Sequence, residues 1–230
     1  AGCSIDFINY EVVDYKGKVL KKGSKKTLDS LGKMNVEFTM PEGKRRGGGF
    51  YPEIIEVGAA VVKDGNIVEE FSQYVKPEGF PILSARCKNF LGIKQADVDG
   101  GISFKELAAK LQSFEKGKPS KIVTWGNADM KVLRHNCQMN QEVFPFKGEC
   151  IDLSVEYKRF FGDRNQTGLW KAVKEYGKDG VGKQHRALDD ALTTYSIYQL
   201  VDNDKKYLQK HEPTTIGDVI DLSAMFNKFA

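Results

Sequence analysis

The four cysteines, Cys3, Cys87, Cys137 and Cys150, include no CxxC pair. The spacings that build zinc fingers and dithiol redox centres are therefore missing. No apolar run approaches the length of a membrane span, and no stretch has the layout of a secretory signal. A reducing, cytoplasmic setting is the expectation that follows. There is no internal repeat and no low-complexity tract, so solenoid and fibrous architectures are excluded. Nor is there a strong excess of one charge: the formal net charge is +4 and the pI about 8.7. That balance permits a polyanionic partner without demanding one. What is present is ordinary for a globular protein, with 40% hydrophobic and 29% charged residues in a chain of 230. This suffices for one large domain, or one domain with attachments.

The chain is not uniform. Residues 1–32 read as a lysine-rich extension and residues 33–230 as the main domain. Within the extension, "IDFINYEVVDYKGKVL" suggests two short strands turned at Lys16-Gly17, and "KVLKKGSKKTLDSLGK" follows it. Such a segment is either a solvated arm or one folded against the edge of the main sheet, or else a basic arm that touches phosphates. Beyond it, "EIIEVGAAVV" reads as a buried strand, "DG" at 64–65 as a hairpin turn and "NIVEEFSQYVKP" as its returning strand. Residues 103–116 have helical spacing, with Ser103 as N-cap and Glu106 three residues on. "KIVTWG" is another buried strand, followed directly by a helix over 127–140. Further helices are expected over 153–162, 166–177 and 186–204. A meander of three strands followed by alternating helices and strands predicts an α/β sheet of mixed direction. The C-terminal tail is expected to pack as a short helix or strap.

The chemistry centres on "NVEFTM", residues 35–40. Strand alternation puts Asn35 and Glu37 on one face, a pattern that can hold a metal ion, although Asn35 is an amide. Asp129 opens a helix at the rim of the sheet, where ligand sites of open α/β sheets lie; taken alone, it fits an acid that complements the helix dipole. His185 stands at the start of the long helix with Asp190 one and a half turns on, while Asp189 faces about 100° away. Gathered carboxylates repel unless a cation neutralises them, and hard oxygen ligands select magnesium or manganese. Two such ions about 4 Å apart form a clamp for phosphodiester cleavage.

"NVEFT", "TWGNADMKVL" and "HRALDDA" resemble, in order and spacing, the three motifs of the DEDDh 3′–5′ exonucleases. The similarity runs from about residue 35 to 222. It is greatest to the KapD-like proteins grouped with the histone-mRNA 3′-exonucleases, through "FYPEIIEVGAA", "FSQYVKP", "LSARCKNFLGI", "TGLWKA" and "PTTIGDVIDL". The resemblance implies an RNase H-like fold, a mixed five-stranded sheet flanked by helices. It implies two divalent cations, Mg2+ or Mn2+, bound by Glu37, Asp129 and Asp190, with Asn35 at the remaining position. It makes His185 the general base and Glu37 its catalytic companion. Thr39 and Met40 fall where the terminal nucleotide is met. The substrate would be the 3′ end of single-stranded RNA or DNA and the product a nucleoside 5′-monophosphate; the oligomeric state is left open.

The family has aspartate where this chain has Asn35, and the preceding "LDSLGKM" makes a poor central strand. Either the site is weakened by the amide, or the first strand comes from elsewhere, with "INYEVV" upstream as a candidate. A catalytically silent protein that binds nucleic acid or a protein partner through the same cleft is the alternative function. "GKRRGGG", residues 43–49, lacks the ending of a phosphate-cradling loop and reads as a loop whose Lys44, Arg45 or Arg46 could contact nucleic acid. Phe50, Tyr51 and Trp125 read as core or rim packing rather than base platforms.

Overall fold

The computed structural model describes residues 7–13, 19–26, 31–43, 49–115 and 121–211. Lys44, Arg45, Arg46, the turn at Lys16-Gly17 and the tail from 212 onward lie outside the described residues. A five-stranded sheet of order β5-β4-β3-β6-β7 organises the rest. At its centre β3 (Leu31–Phe38) runs antiparallel to β4 (Ile54–Lys63) and parallel to β6 (Lys121–Thr124). β4 turns into β5 (Asn66–Tyr74) through Asp64 and Gly65, both at positive φ, as a tight two-residue hairpin requires. The short β7 (Cys150–Asp152) lies parallel to β6 at the far edge.

β1 (Phe7–Val13) and β2 (Val19–Lys26) pair antiparallel in a separate two-stranded sheet. "INYEVV" therefore does not supply the central strand: β3 does, and it begins at Leu31, within the span assigned to the extension. The expectation of a poor strand fails for a physical reason. Met34 and Val36 point to one face and are 2% and 3% exposed. The polar residues Lys33, Asn35 and Glu37 alternate with them onto the other face, which a helix covers.

Among the described residues seven helices flank the sheet: α1 (Ala85–Leu91), α2 (Gln95–Asp99), α3 (Phe104–Phe114), α4 (Ala128–Met139), α5 (Leu153–Phe161), α6 (Leu169–Glu175) and α7 (Ala187–His211). Met34 and Val36 join Leu107 and Leu111 of α3 and Leu133 of α4 in one core. On the opposite face Val123 of β6 packs with Leu153, Tyr157, Ala172 and Ile197 from α5, α6 and α7. The start of α3 is fixed as its sequence requires. Ser103 Oγ accepts from the Glu106 amide, and the Glu106 carboxylate accepts from the Ser103 amide at 2.8 Å.

Candidate active site

The register of β3 against β4 sets the site. Asn35 lies opposite Gly58, and Glu37 opposite Glu56, so these four positions share the face covered by α7. A Cβ on Gly58 would lie only 2.0 Å from the amide nitrogen of Leu188. The absence of a side chain lets the first turn of α7 rest on the sheet beside Glu37. That landing delivers His185 and Asp190. His185 holds a left-handed backbone, φ 64°, which is uncommon for a non-glycine residue and costs on the order of 1 kcal/mol. Asn35, Trp125, Leu169, Trp170, His185 and Asp190 line a cleft of about 350 Å3.

At its wall, ligand atoms of Glu37 lie within 4.8 Å of those of the lining residues His185 and Asp190, which are as close to each other. His185 Nδ1 is 4.0 Å from Glu37 Oε1, and the Trp170 indole donates to Asp190 Oδ1 at 2.6 Å. Asp129 is buried at the start of α4, outside that trio. Its Oδ1 accepts from the Val36 amide at 3.1 Å, tying the helix to the strand between Asn35 and Glu37. Asp189 turns away, accepting from the Lys183 amide at 2.8 Å.

The electrostatics follow from this crowding. Burial pushes the Glu37 carboxyl up to about 8, with Asp190, Asp129 and Glu56 adding to the rise and Arg186 opposing it. Burial also raises Asp129 to about 7, against the Val36 amide, which favours its ionised form. Asp190 is raised by burial, offset by the Trp170 indole and by His185. Crowding and burial of this kind favour the protonated acids and are relieved by a bound cation. Asn35 Oδ1 is buried and has no hydrogen-bond partner among the described residues; buried carbonyl oxygens are rarely left so. These oxygen donors fit a hard divalent cation.

The segment after Glu37 is fastened to its surroundings. Thr39 Oγ1 accepts from the Glu53 amide at 2.9 Å, and the Thr39 amide donates to Glu53 O at 2.8 Å. Met40 O accepts from the hydroxyl of Ser84, the N-cap of α1, at 2.8 Å. Phe90 of α1 is half-exposed and packs its ring on the His185 imidazole, centroids 4.4 Å apart. Trp125 donates its indole N–H to Thr167 O and packs edge-on against Tyr157. Phe50 and Tyr51 pack against Phe80 at the rim. Sequence reasoning passed over Phe90, Trp170, Glu56 and Arg186. For Glu56 a signal existed, a lone acid inside an otherwise apolar buried strand.

The family model RNase_T, described as exonuclease, matches residues 35–198. The chain is 53% identical over 202 residues to KapD of Bacillus subtilis (strain 168), a probable 3′–5′ exonuclease by name, covering 88% of this chain and 98% of KapD. It is 36% identical over 168 residues to ERI1 exoribonuclease 2 of Mus musculus, covering 62% of this chain but only 24% of that longer protein. Among solved structures, the nuclease domain of 3′hExo, a DEDDh family member bound to rAMP, superposes with a TM-score of 0.69 at 29% identity, covering 77% of this chain and 93% of that one. A 3′-exonuclease in a structure of 3′-end-specific recognition of a histone mRNA stem-loop gives 0.68 at 27% identity, covering 76% and 64%. With the family model spanning most of the chain and KapD matched along nearly its whole length, the protein belongs to the RNase_T exonuclease family, in its DEDDh branch of 3′–5′ exonucleases, hydrolases of phosphodiester bonds.

Proposed function

We propose that the chain removes nucleoside 5′-monophosphates stepwise from the 3′ end of RNA or short single-stranded nucleic acid, with two divalent cations, Mg2+ or Mn2+, and that Asn35 slows it. The observation that carries this reading is the convergence of Glu37 with His185 and Asp190, two residues that line an open cleft. The relative bound to rAMP holds a molecule of the product class, and a second relative recognises an RNA 3′ end.

Glu37 and Asp190, with Asp129 and the Asn35 amide oxygen beside them, would hold the cations, which when bound neutralise the developing phosphate charge and favour a deprotonated water. The residues supply the rest. His185, at the mouth of the cleft, takes the proton from the attacking water as general base. Attack on phosphorus breaks its bond to the 3′ oxygen of the preceding nucleotide, leaving a shortened strand and a 5′-monophosphate. Trp170 fixes the Asp190 carboxylate through its indole N–H. The Phe90 ring packs on the His185 imidazole and offers an apolar face where a terminal base could lie.

Asn35 is the observation behind a second reading, in which the protein binds nucleic acid but cuts it slowly or not at all. A neutral amide removes one negative charge from the cation site. The test is to incubate 5′-labelled single-stranded RNA and DNA with magnesium or manganese, for this chain and for Asn35→Asp. Stepwise shortening from the 3′ end, faster with manganese, is expected of the present chain. Binding without shortening, with cleavage only in the aspartate variant, would replace the first reading by the second. No shortening by either variant with either metal would sink the exonuclease assignment of this site.

A further inference from the structure

His185 is held from two sides. On the near side, Asp189 grips the Lys183 amide, and Gly182 packs so closely on the Asp189 carboxylate that a Cβ would lie 2.3 Å from it. On the far side stands a pair that the catalytic reading does not use. Glu56, in the middle of β4, is 1% exposed, and its Oε1 lies 3.0 Å from Arg186 Nη2. Arg186 is the residue after His185, and its guanidinium also sits over the Tyr74 ring of β5, 5.3 Å from the centroid. Burial raises the Glu56 carboxyl, and Arg186 and the Ala187 amide at the start of α7 oppose that rise. Glu56 thus anchors, across the strand from Glu37, the point where the loop becomes helix.

A buried carboxylate needs a reason to be there, because burial of a charge costs stability unless it is paired. Here the pair bridges β4 to the residue flanking a strained backbone. A left-handed histidine relaxes unless its neighbours over-determine it. Asp189 and Arg186 are those neighbours' fastenings, on either side of a single residue.

We infer that Glu56 and Arg186 are positioning residues, a buried latch that holds His185 in its left-handed conformation over Glu37. The latch touches no substrate and acts only through His185. The inference rests on the reading of His185 as the base, and the experiment separates the two.

Turnover of a labelled oligonucleotide is measured at saturating manganese for the present chain, Glu56→Gln, His185→Ala and the double variant, with manganese affinity followed by calorimetry and folding by circular dichroism. Glu56→Gln is expected to lower kcat about tenfold or more, the scale of a small misplacement of a reacting group. The KM and the manganese affinity should stay within about threefold. In the His185→Ala background the same change should alter kcat less than about twofold, because the group it positions is gone. Arg186→Lys, which keeps the charge, should retain more activity than Arg186→Gln. Equal losses from Glu56→Gln in both backgrounds, or a loss accounted for by weaker manganese binding, would overturn the latch while leaving the base in place. Undiminished activity of His185→Ala would overturn the base and the latch with it. Should Glu56→Gln fail to fold, the Arg186→Lys and Arg186→Gln comparison in both backgrounds decides by the same criterion.

Discussion

The two ends of β3 present the same problem and solve it differently. Lys33 and Glu37 lie four residues apart on one strand, both facing α7, and both are buried. Burial pushes each toward neutrality: Lys33 falls to about 6 and Glu37 rises to about 8. Lys33 Nζ has no hydrogen-bond partner among the described residues and rests 3.4 Å from the centre of the Tyr198 ring. Its environment is closed and aromatic. Glu37 instead adjoins His185 and Asp190 at the edge of the cleft, and like charges press on it. Neutralisation by burial is thus common to both ends. What distinguishes the functional end is that its discomfort can be relieved by something from solution.

The largest effect should come from the base at the open end. His185→Ala should leave cation binding nearly intact and slow cleavage about 10²-fold or more, as read by single-turnover kinetics beside manganese titration. Undiminished turnover would remove His185 from the comparison. Asn35→Asp, midway between the two ends, should tighten cation binding and raise turnover about tenfold or more, since ligand charge count sets affinity at such sites. Turnover against metal concentration for both variants checks it. Full activity of the present chain in low magnesium, unchanged by the aspartate, would mean that Asn35 is not a ligand position.

At the closed end, Lys33→Met should stabilise the fold by about 1–3 kcal/mol, the usual cost of an unpartnered buried polar group, measured by denaturant unfolding. A destabilised variant would show that the amine has a partner in solution. The smallest and most discriminating effect is in pH. Glu37 and Asp129 have raised pKa values, so their contribution is full at low pH and lost as pH rises toward about 7 to 8. Lys33 has a lowered one, so its contribution is full above 10.5 and lost as pH falls to about 6. In chelator, the melting temperature should therefore fall from pH 5 to 7 and rise above pH 8. Saturating manganese should flatten the acid limb, whereas Lys33→Met should flatten the alkaline limb and steepen the fall between pH 6 and 7. A manganese-independent acid limb would place its origin outside the cleft.

Much of this architecture could be read from the chain. The α3 capping box, the β4–β5 hairpin with its Asp-Gly turn, and the buried runs of β4 and β6 are local patterns, and local patterns survive in sequence. The exonuclease motifs singled out Glu37, Asp129, His185 and Asp190, of which Glu37, His185 and Asp190 come within 4.8 Å of one another and Asp129 stands outside that trio. β3 was misjudged because Gly32, Lys33 and Asn35 break the apolar run, and only the covering helix makes that face a buried one. α1 and α2 are one or two turns long and too short for periodicity to register. The latch was invisible for another reason. Glu56 and Arg186 are 130 positions apart, and nothing short of the docking of the start of α7 on β4 places one beside the other. Asp129 shows the same limit, since its bond to the Val36 amide is a tertiary fact.

Gly58 carries a consequence for how this sequence can drift. It contacts no substrate and ligates nothing, yet the smallest side chain there would collide with the backbone of Ala187 and Leu188. The sheet could absorb an alanine at that point; the docking of α7 could not. Lifting the helix would carry His185 and Asp190 away together while the core of β3, α3 and α4 stayed packed. In a survey of every single substitution, position 58 would score like a catalytic residue in an activity screen although it touches neither metal nor substrate. A lineage that lost its nuclease chemistry could therefore do so silently, through one methyl group, with every motif residue still in place.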